Sequence, residues 1–155
     1  MLKSIEGNFD NPEVNELLIK HFIELRSVSP KGSAHVLDIN GLRDPSIKFW
    51  SLWKKNDLIG SGALKFLDKE HGEFKSIRVG DKFRNQGNGS KIIKHLINRA
   101  KKLNVKRLSL ETGAGDFFLT ARKLFNKCGF EPSEPFSHYK SDTNSVYMTM
   151  LISNK

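Results

Sequence analysis

The segment RNQGNGS, residues 84–90, lies between two patterned parts of the chain. Before it, EFKSIRV (residues 73–79) alternates like a β-strand, and after it, KIIKHLINRAKKL (residues 91–103) carries apolar residues at helical spacing. A strand, a loop with alternate glycines and a helix that begins at once direct several backbone N–H groups and the positive end of the helix dipole at one place. The segment therefore predicts an anion site.

Two common phosphate-binding motifs do not match this loop. The dinucleotide fingerprint G-x-G-x-x-G needs a third glycine, which does not follow Gly87 and Gly89. The nucleoside-triphosphatase loop G-x-x-x-x-G-K-[ST] needs a glycine where Arg84 stands and a lysine where Ser90 stands. The ligand must therefore be identified from the surrounding sequence.

The length and composition indicate one folded domain, which we expect to span residues 1–155. The chain has 155 residues, of which 37% are hydrophobic, enough for a substantial core but short for two ordinary domains. It contains no apolar run near the roughly 20 residues that cross a bilayer, so we expect no membrane partner. The N-terminus lacks the apolar core of a signal peptide, and the single cysteine, Cys128, cannot form an internal disulfide framework. We therefore expect a cytoplasmic protein.

The formal net charge of +9 is concentrated in one part of the chain. Between Lys75 and Arg107 there are eleven Lys and Arg residues and one acid, Asp81. Such a run could bind nucleic-acid phosphates, or focus positive potential on a small polyanionic ligand. The lysines of the predicted helix could equally form a solvated surface. The charge alone leaves these alternatives open.

The periodicity predicts the element order β-α-α-β-β-β-α-β-α-β-β. A first strand at residues 2–7 precedes a helix that Asn11 caps and residues 29–32 end; its predicted inward residues are Val14, Leu17, Leu18, Phe22 and Leu25. A three-strand antiparallel meander follows from Ile47, with a turn at Asn56 and Asp57. The fold class is therefore α/β (α+β), with a mixed, mostly antiparallel central sheet and helices on both faces.

The second half of the pattern is a helix that stops near Asn104, a buried strand KRLSLET, a helix at residues 116–128 and a last strand SVYMTML. The predicted inward residues of the 116–128 helix are Phe117, Phe118, Ala121, Leu124, Phe125 and Cys128. Trp50 and Trp53 are expected in the core of the sheet, since they stand in a strand and away from the basic run.

The glycine loop lies between a strand and a basic helix, about forty residues upstream of ARKLFNKCGF (residues 121–130). In that context it resembles the acetyl-CoA site of the GCN5-related N-acetyltransferase (GNAT) superfamily. Four blocks are similar to one bacterial branch of it, the YsnE-like acetyltransferases; they are HGEFKSIRV (71–79), LSLETG (108–113), ARKLFNKCGF and PFSHYKSDTNSVYMTML (135–151). The resemblance implies a three-layer GNAT-type fold. It also implies direct transfer of an acetyl group from acetyl-CoA to a primary amine of a small molecule or peptide.

The resemblance also implies where CoA binds. Arg84 and Asn85 would lie at the loop entrance, and the pyrophosphate would lie on the backbone N–H groups of Gln86, Gly87, Asn88, Gly89 and Ser90. The pantetheine arm would pair like an extra strand with the backbone of Ile77, Arg78 and Val79. CoA also carries a ribose 3′-phosphate, which would account for part of the basic excess without nucleic acid.

The proton acceptor implied by the resemblance is Glu73, eleven residues before Arg84. Period-two alternation places Glu73 on the same strand face as Lys75, Ile77 and Val79. Partial burial would raise the pKa of such a carboxylate toward neutrality, as a general base requires. The alternative is a surface strand residue that pairs with Lys75 or with a cation on a neighbouring strand.

The proton donor is where this sequence departs from the superfamily. Phe125, which we place in the cofactor site, stands where the superfamily usually carries a tyrosine, and Phe118 replaces its usual asparagine. Either water protonates the leaving thiolate or another residue does, and Tyr139 and Cys128 are the candidates. The alternatives are a structural hydrogen bond for Tyr139 and a buried apolar role for Cys128.

The remaining expectations concern ligands and partners. The histidines have no metal-ligand spacing, so we expect no metal; they are His21, His35, His71, His95 and His138. We expect the wall of the site for the acetyl acceptor to consist of the first helix and its following loop, Glu73, and residues 136–145. A homodimer is possible. The rival hypothesis is a module without turnover that binds CoA or, less favoured, nucleic acid.

Overall fold

A computed structural model describes residues 1–30 and 35–152 of the chain. Seven strands form one sheet in the order β1-β2-β3-β4-β5-β7-β6. The strands are β1 (Lys3–Glu6), β2 (Ile47–Lys54), β3 (Asp57–Phe66), β4 (His71–Val79), β5 (Arg107–Gly113), β6 (Glu131–Ser133) and β7 (Ser145–Leu151). Every neighbouring pair is antiparallel except β4 and β5. The predicted fold class and the predicted order of elements are confirmed.

Four helices flank the sheet: α1 (Pro12–Val28), α2 (Ile39–Leu42), α3 (Asn88–Lys102) and α4 (Leu119–Lys127). Helix α1 begins where the sequence predicts, because the Asn11 side chain accepts hydrogen bonds from the N–H groups of Glu13 and Val14. It ends at Val28, and residues 31 and 32 of the predicted terminating segment lie outside the described residues. The hairpin between β2 and β3 turns at Lys55 and Asn56, so Asp57 belongs to the strand and not to the turn.

Two apolar cores lie on opposite faces of the sheet. On one face, Ile92, Ile93 and Leu96 of α3 pack with Trp50, Phe74, Phe125 and Phe130. On the other face, Val14 and Leu18 of α1 pack with Phe49, Trp53 and Ala63. Both tryptophans are therefore buried, as predicted, and each fills a different core because Trp53 is three positions after Trp50, an odd offset on a strand.

The pairing of β4 with β5 stops early. Only three residue pairs join these parallel strands: His71 with Arg107, Gly72 with Leu108 and Glu73 with Ser109. Beyond Glu73, β4 continues to Val79 paired with β3, while β5 continues to Gly113 paired with β7. The sheet therefore opens between these two strands over their second halves.

A bulge in β4 corrects the predicted alternation of this strand. The register against β3 shifts between Ser61 and Ala63, and Ser76 adopts a left-handed backbone conformation with φ of 54°. The extra residue moves Ile77 and Val79 to the α3 face, where they pack on the core that contains Phe74. The prediction that Glu73 shares a face with Ile77 and Val79 is therefore wrong. Glu73 and Lys75 face the α1 side.

The second predicted helix also begins later than expected. Residues Asp116–Phe118 form a 3₁₀ turn, and α4 starts at Leu119. Phe118 packs against Gly113, and Arg122 donates hydrogen bonds to the carbonyl groups of Gly113 and Gly115 at 2.8 and 2.9 Å. This tight connection leaves Phe117 half exposed, so its predicted inward position is wrong.

A buried charged network joins α1 to the end of β4. Arg78 is buried and contacts Glu24 through both terminal nitrogens, at 3.1 and 3.4 Å, and Asp81 at 3.3 Å. His21 lies beside it, with Nδ1 3.5 Å from Arg78 Nη1. Burial and the positive charge of Arg78 lower the pKa of His21 from 6.5 to about 4. His21 is therefore a neutral core residue near neutral pH.

The close approach of β3 to β4 and α3 requires glycine at position 60. A Cβ atom at Gly60 would overlap the backbone carbonyl oxygen of Arg78 and lie 2.6 Å from Ile92 Cδ1. We expect Gly60→Ala to lower the free energy of unfolding by about 3 kcal/mol, as overpacking against a backbone atom does. Urea unfolding followed by tryptophan fluorescence measures the change. Gly115→Ala is the control, since its methyl group would meet open space. Equal losses in the two variants would contradict this account.

The depressed pKa of His21 predicts an acid-sensitive fold. In the unfolded chain His21 titrates near 6.5 and in the folded chain near 4, so the unfolded state binds more protons between these values. The free energy of unfolding should fall by about 3 kcal/mol from this group as the pH drops from 6.5 to 4. Urea midpoints across this window should decline less steeply in His21→Gln. Parallel pH profiles for the two proteins would rule out His21 as the cause.

Candidate functional site

The predicted anion loop leads directly into the first turn of α3. Gly87 is the N-terminal cap, with φ of 80° and no side-chain cap hydrogen bond. The first helical hydrogen bond runs from the Lys91 N–H group to the Gly87 carbonyl oxygen. The N–H groups of Asn88, Gly89 and Ser90 precede that bond, so they have no acceptor within the helix. They lie at the positive end of the α3 dipole, and their role in binding an anion stays a prediction.

Side-chain hydrogen bonds stabilise this loop. Asn88 donates to the Phe83 carbonyl oxygen at 3.0 Å, and Gln86 donates to the Lys82 carbonyl oxygen at 3.2 Å. Asn85 adopts a left-handed conformation with φ of 62°. These bonds fix the conformation of the loop.

Gly89 makes the packing of α3 on α4 possible. A Cβ atom there would lie 2.5 Å from Leu124 Cδ2. The two glycines therefore have separate roles. Gly87 supplies a left-handed cap, and Gly89 allows two helices to approach closely.

The side chains of Arg84 and Arg78 face acidic residues. Arg84 lies 3.2 Å from Asp81 and 3.7 Å from Glu24, the same two carboxylates that Arg78 contacts. The structure therefore places Arg84 beside the loop but in an ion-pair network with α1. The Arg78 side chain is therefore held in ion pairs.

Two other basic residues of the run also form ion pairs with acidic residues of the chain. Lys106 pairs with Glu70 at 2.9 Å, and Lys75 pairs with Glu73 at 3.3 Å. Together with Arg78 and Arg84, four of the eleven basic residues counted from the sequence form ion pairs with named acids. Ion pairs with acidic residues therefore interrupt the basic run.

A cavity of about 340 Å³ opens where β4 and β5 separate. Its walls are the end of α1, the loop after it, the two separated strand halves and the 3₁₀ turn before α4. Polar and apolar groups are mixed; the polar side chains are His21, Ser29, His35, Lys75, Ser76, Glu111, Thr112, Asp116 and Asn144. The predicted acceptor wall contributes α1, its following loop and Asn144, whereas Glu73 is not among the lining residues.

The structure brings together the two predicted catalytic residues, Glu73 and Tyr139. The Tyr139 hydroxyl donates to Glu73 Oε2 at 2.6 Å, and Lys75 Nζ lies 3.3 Å from the same oxygen and 3.1 Å from the hydroxyl. Glu73 is 1% exposed and Tyr139 is 9% exposed. Glu73 thus pairs with Lys75, as the structural alternative expects, but it is buried and not at the surface.

The environment of Tyr139 makes its hydroxyl group a weaker acid. Burial and the Glu73 carboxylate raise the pKa of the Tyr139 hydroxyl far above its usual range. His35, Phe136 and Tyr147 surround its ring at centroid distances of 5.1 to 5.6 Å. Its proton points at Glu73, so the alternative of a structural hydrogen bond matches the geometry. Its role as a proton donor to a thiolate stays a prediction.

The α4 candidates lie on the opposite face. Phe125 is buried in the core and packs edge-on against Phe130 at 5.6 Å. Cys128 is partly buried on the same core, with Sγ 4.0 Å from Ser90 Oγ. Phe125 has no proton to donate, and Cys128 packs largely as an apolar side chain, as one alternative expects.

Two polar residues of the cavity were not singled out from the sequence. His21 occupies a core position of α1, in register with Val14 and Leu18, whereas apolar spacing identifies only apolar core residues. Glu111 stands in LSLETG, part of a strand that the sequence predicts to be buried. An ionisable residue in a buried strand is the sequence signal that could have identified it as a site residue. Burial raises the pKa of Glu111, although Ser145 donates a hydrogen bond to it at 2.8 Å.

The described residues contain no group of three or more His, Cys, Asp or Glu side chains placed to hold a metal ion. In the same residues, no helix has both the length and the apolar composition needed to cross a bilayer.

Comparison with known proteins identifies the family. The profile of the Acetyltransferase (GNAT) family matches residues 12–130. The chain is 43% identical over 137 residues to the uncharacterized N-acetyltransferase YsnE of Bacillus subtilis (strain 168), covering 88% of this chain and 91% of YsnE. It is 38% identical over 142 residues to the uncharacterized N-acetyltransferase YedL of Escherichia coli (strain K12), covering 92% of this chain and 89% of YedL.

A solved structure supports the same assignment at the level of the fold. The structure of a GNAT family acetyltransferase from Elizabethkingia anophelis, with acetyl-CoA bound, superposes with a TM-score of 0.68 at 20% identity. The match covers 97% of this chain and 98% of the other. With the family profile and the two bacterial relatives, this shows that the protein belongs to the GNAT family and is an acyl-CoA-dependent N-acetyltransferase.

Proposed function

We propose that this enzyme transfers the acetyl group of acetyl-CoA directly to a primary amine of a small molecule or peptide. The observation that carries the proposal is the cavity between the separated halves of β4 and β5. Its volume of about 340 Å³ suits a small amine or the end of a peptide chain. Phe74, Lys75 and Ser76 form one wall and Glu111, Thr112 and Gly113 form the other, so both strands face the same space.

The residues present fit CoA. The N–H groups of Asn88, Gly89 and Ser90 and the positive end of the α3 dipole would hold the pyrophosphate. Beyond Glu73, the β4 backbone pairs with β3 on one side only, so Ile77, Arg78 and Val79 can offer main-chain groups to the pantetheine arm on the other. Acetyl-CoA supplies the thioester, and the chain supplies the positions of both substrates.

The cavity also favours an enzyme over a module that only binds CoA. A binding module needs the loop and the open strand edge, whereas this protein adds a cavity with ionisable groups from both strands. The sequence predicts Glu73 as the proton acceptor of this reaction. Its contacts with Lys75 and Tyr139 connect it to the cavity, since Lys75 lines the wall.

The loop assignment predicts that a negative charge at position 87 weakens CoA binding. A side chain at Gly87 would meet open space, and both Asp and Asn tolerate the left-handed conformation better than other residues. Gly87→Asp should raise the dissociation constant of CoA at least about tenfold above that of Gly87→Asn, because the carboxylate would repel the pyrophosphate. Isothermal titration calorimetry at low and high salt measures the difference. Equal CoA affinities in the two variants would show that the pyrophosphate does not bind at this loop.

The proposed reaction predicts release of free CoA thiol. Wild-type protein should release thiol from acetyl-CoA faster in the presence of at least one member of a panel of amino acids, polyamines, aminoglycosides and peptides. Mass spectrometry should find the acetylated amine in the same mixture. If no amine accelerates release although CoA binds, the protein is a CoA-binding module under these conditions, and the proposed function fails. Salt-sensitive binding of RNA that persists at saturating CoA would support the nucleic-acid alternative instead.

A further inference from the structure

We propose that Glu111 accepts the proton from the amine substrate. This inference rests on the proposed function, because it assigns a role within that reaction. Glu111 lies on β5 two residues beyond Ser109, where the last pair between β4 and β5 is made. Its side chain therefore stands at the point where the strands begin to separate, and it lines the cavity.

The contacts of Glu111 suit a carboxylate that must receive a proton. Within the described part of the chain, Ser145 Oγ is the one hydrogen-bond donor to this carboxylate, and it donates to Oε2 at 2.8 Å. That bond fixes the carboxylate, and Oε1 can accept a hydrogen bond from the substrate amine in the cavity. A base of this kind needs geometric reach first and a suitable pKa second.

The groups around Glu111 act on its pKa in opposite directions. Burial raises it most, and the Glu73 carboxylate on β4 raises it further. Ser145 on β7, His35 on the loop after α1 and Lys75 on β4 lower it. Tyr139 and Tyr147 also face this carboxylate. The net effect is a pKa above the usual carboxyl range, closer to the value that serves a general base near neutral pH.

Glu73 is placed differently, although it lies on the neighbouring strand. It is 1% exposed, and one of its oxygens already accepts hydrogen bonds from Tyr139 and Lys75. These contacts suit a positioning residue that holds the Lys75 ammonium at the cavity wall. Glu111, by contrast, lines the cavity, whereas Glu73 does not.

The proposed reaction converts the substrate ammonium and the thioester to an amide, a free thiol and one proton. The substrate ammonium gives one proton to the Glu111 carboxylate, and the neutral nitrogen forms a bond to the thioester carbonyl carbon. The carbon–sulfur bond then breaks, and the sulfur leaves with the electron pair. The second nitrogen proton reaches the sulfur through solvent, and Glu111 returns its proton to water. One proton is released for each amide formed.

The test compares Glu111→Gln with Glu73→Gln across pH, with the best amine of the panel as substrate. Glu111→Gln should lower kcat/KM near neutral pH by about 100-fold or more, while the CoA dissociation constant changes less than about twofold. In wild type, kcat/KM should fall as the pH drops through the raised pKa of Glu111, because the base must be ionised. That acid limb should be missing from Glu111→Gln and present in Glu73→Gln.

Ser145→Ala is the second variant, and it leaves the carboxylate in place. Loss of the hydrogen bond that lowers the pKa of Glu111 should move the acid limb to higher pH, with turnover retained. A purely structural role for Glu111 would not produce that shift. The variant also keeps the proposal testable if Glu111→Gln does not fold.

The possible failures are distinct. Turnover by wild type, with undiminished turnover and an unchanged acid limb in Glu111→Gln, overturns the role of Glu111 and leaves the proposed function intact. If the limb disappears in Glu73→Gln instead, Glu73 is the base and the proposal is wrong. Absence of amine-dependent thiol release by wild type overturns the proposed function, and the role of Glu111 with it.

Discussion

The short pairing of β4 with β5 is the constraint on which the other features of this protein depend. Three residue pairs join the two parallel strands, and each strand then continues with a different neighbour. A parallel pair needs a crossover, and α3 provides it. The loop at the start of α3, the open edge of β4 and the cavity therefore all lie at this one interruption of the sheet.

The bulge at Ser76 distributes β4 between the two faces of the sheet. Before the bulge, Glu73 and Lys75 lie on the α1 side near the cavity. After it, Ile77 and Val79 pack on the core under α3, while Arg78 reaches Glu24 of α1. A regular strand could not place Lys75 at the cavity, Arg78 against α1 and two apolar residues under α3 in this order. The bulge thus allows one strand to supply both core residues and polar ones.

Much of the fold and part of the site could be predicted from the sequence. The Asn11 cap and the apolar residues of α3 at helical spacing depend on nearby residues, so local patterns are sufficient to find them. Glu73 and Tyr139 were found through family blocks, and the structure places them in hydrogen-bond contact.

The missed features depend on distant parts of the chain. The alternation EFKSIRV gives no sign that one residue of β3 would face two of β4 at Ser76. The cavity position of Glu111 follows from where β4 and β5 separate, and burial of His21 follows from packing against Arg78. The 3₁₀ turn before α4 depends on the contacts of Phe118 and Arg122 with the end of β5. Local periodicity contains none of this information.

The two edges of the sheet have a consequence for association with other chains. β1 has four residues and β6 has three, one of them Pro132, which has no N–H group to donate. A strand from a second chain would find few main-chain partners at either edge, whereas long exposed edges are the usual starting points of aggregation. The widest opening in this sheet is instead internal, between β4 and β5, where both sides belong to the same chain. Under the proposed function, strand-like pairing at that opening would serve the pantetheine arm of CoA.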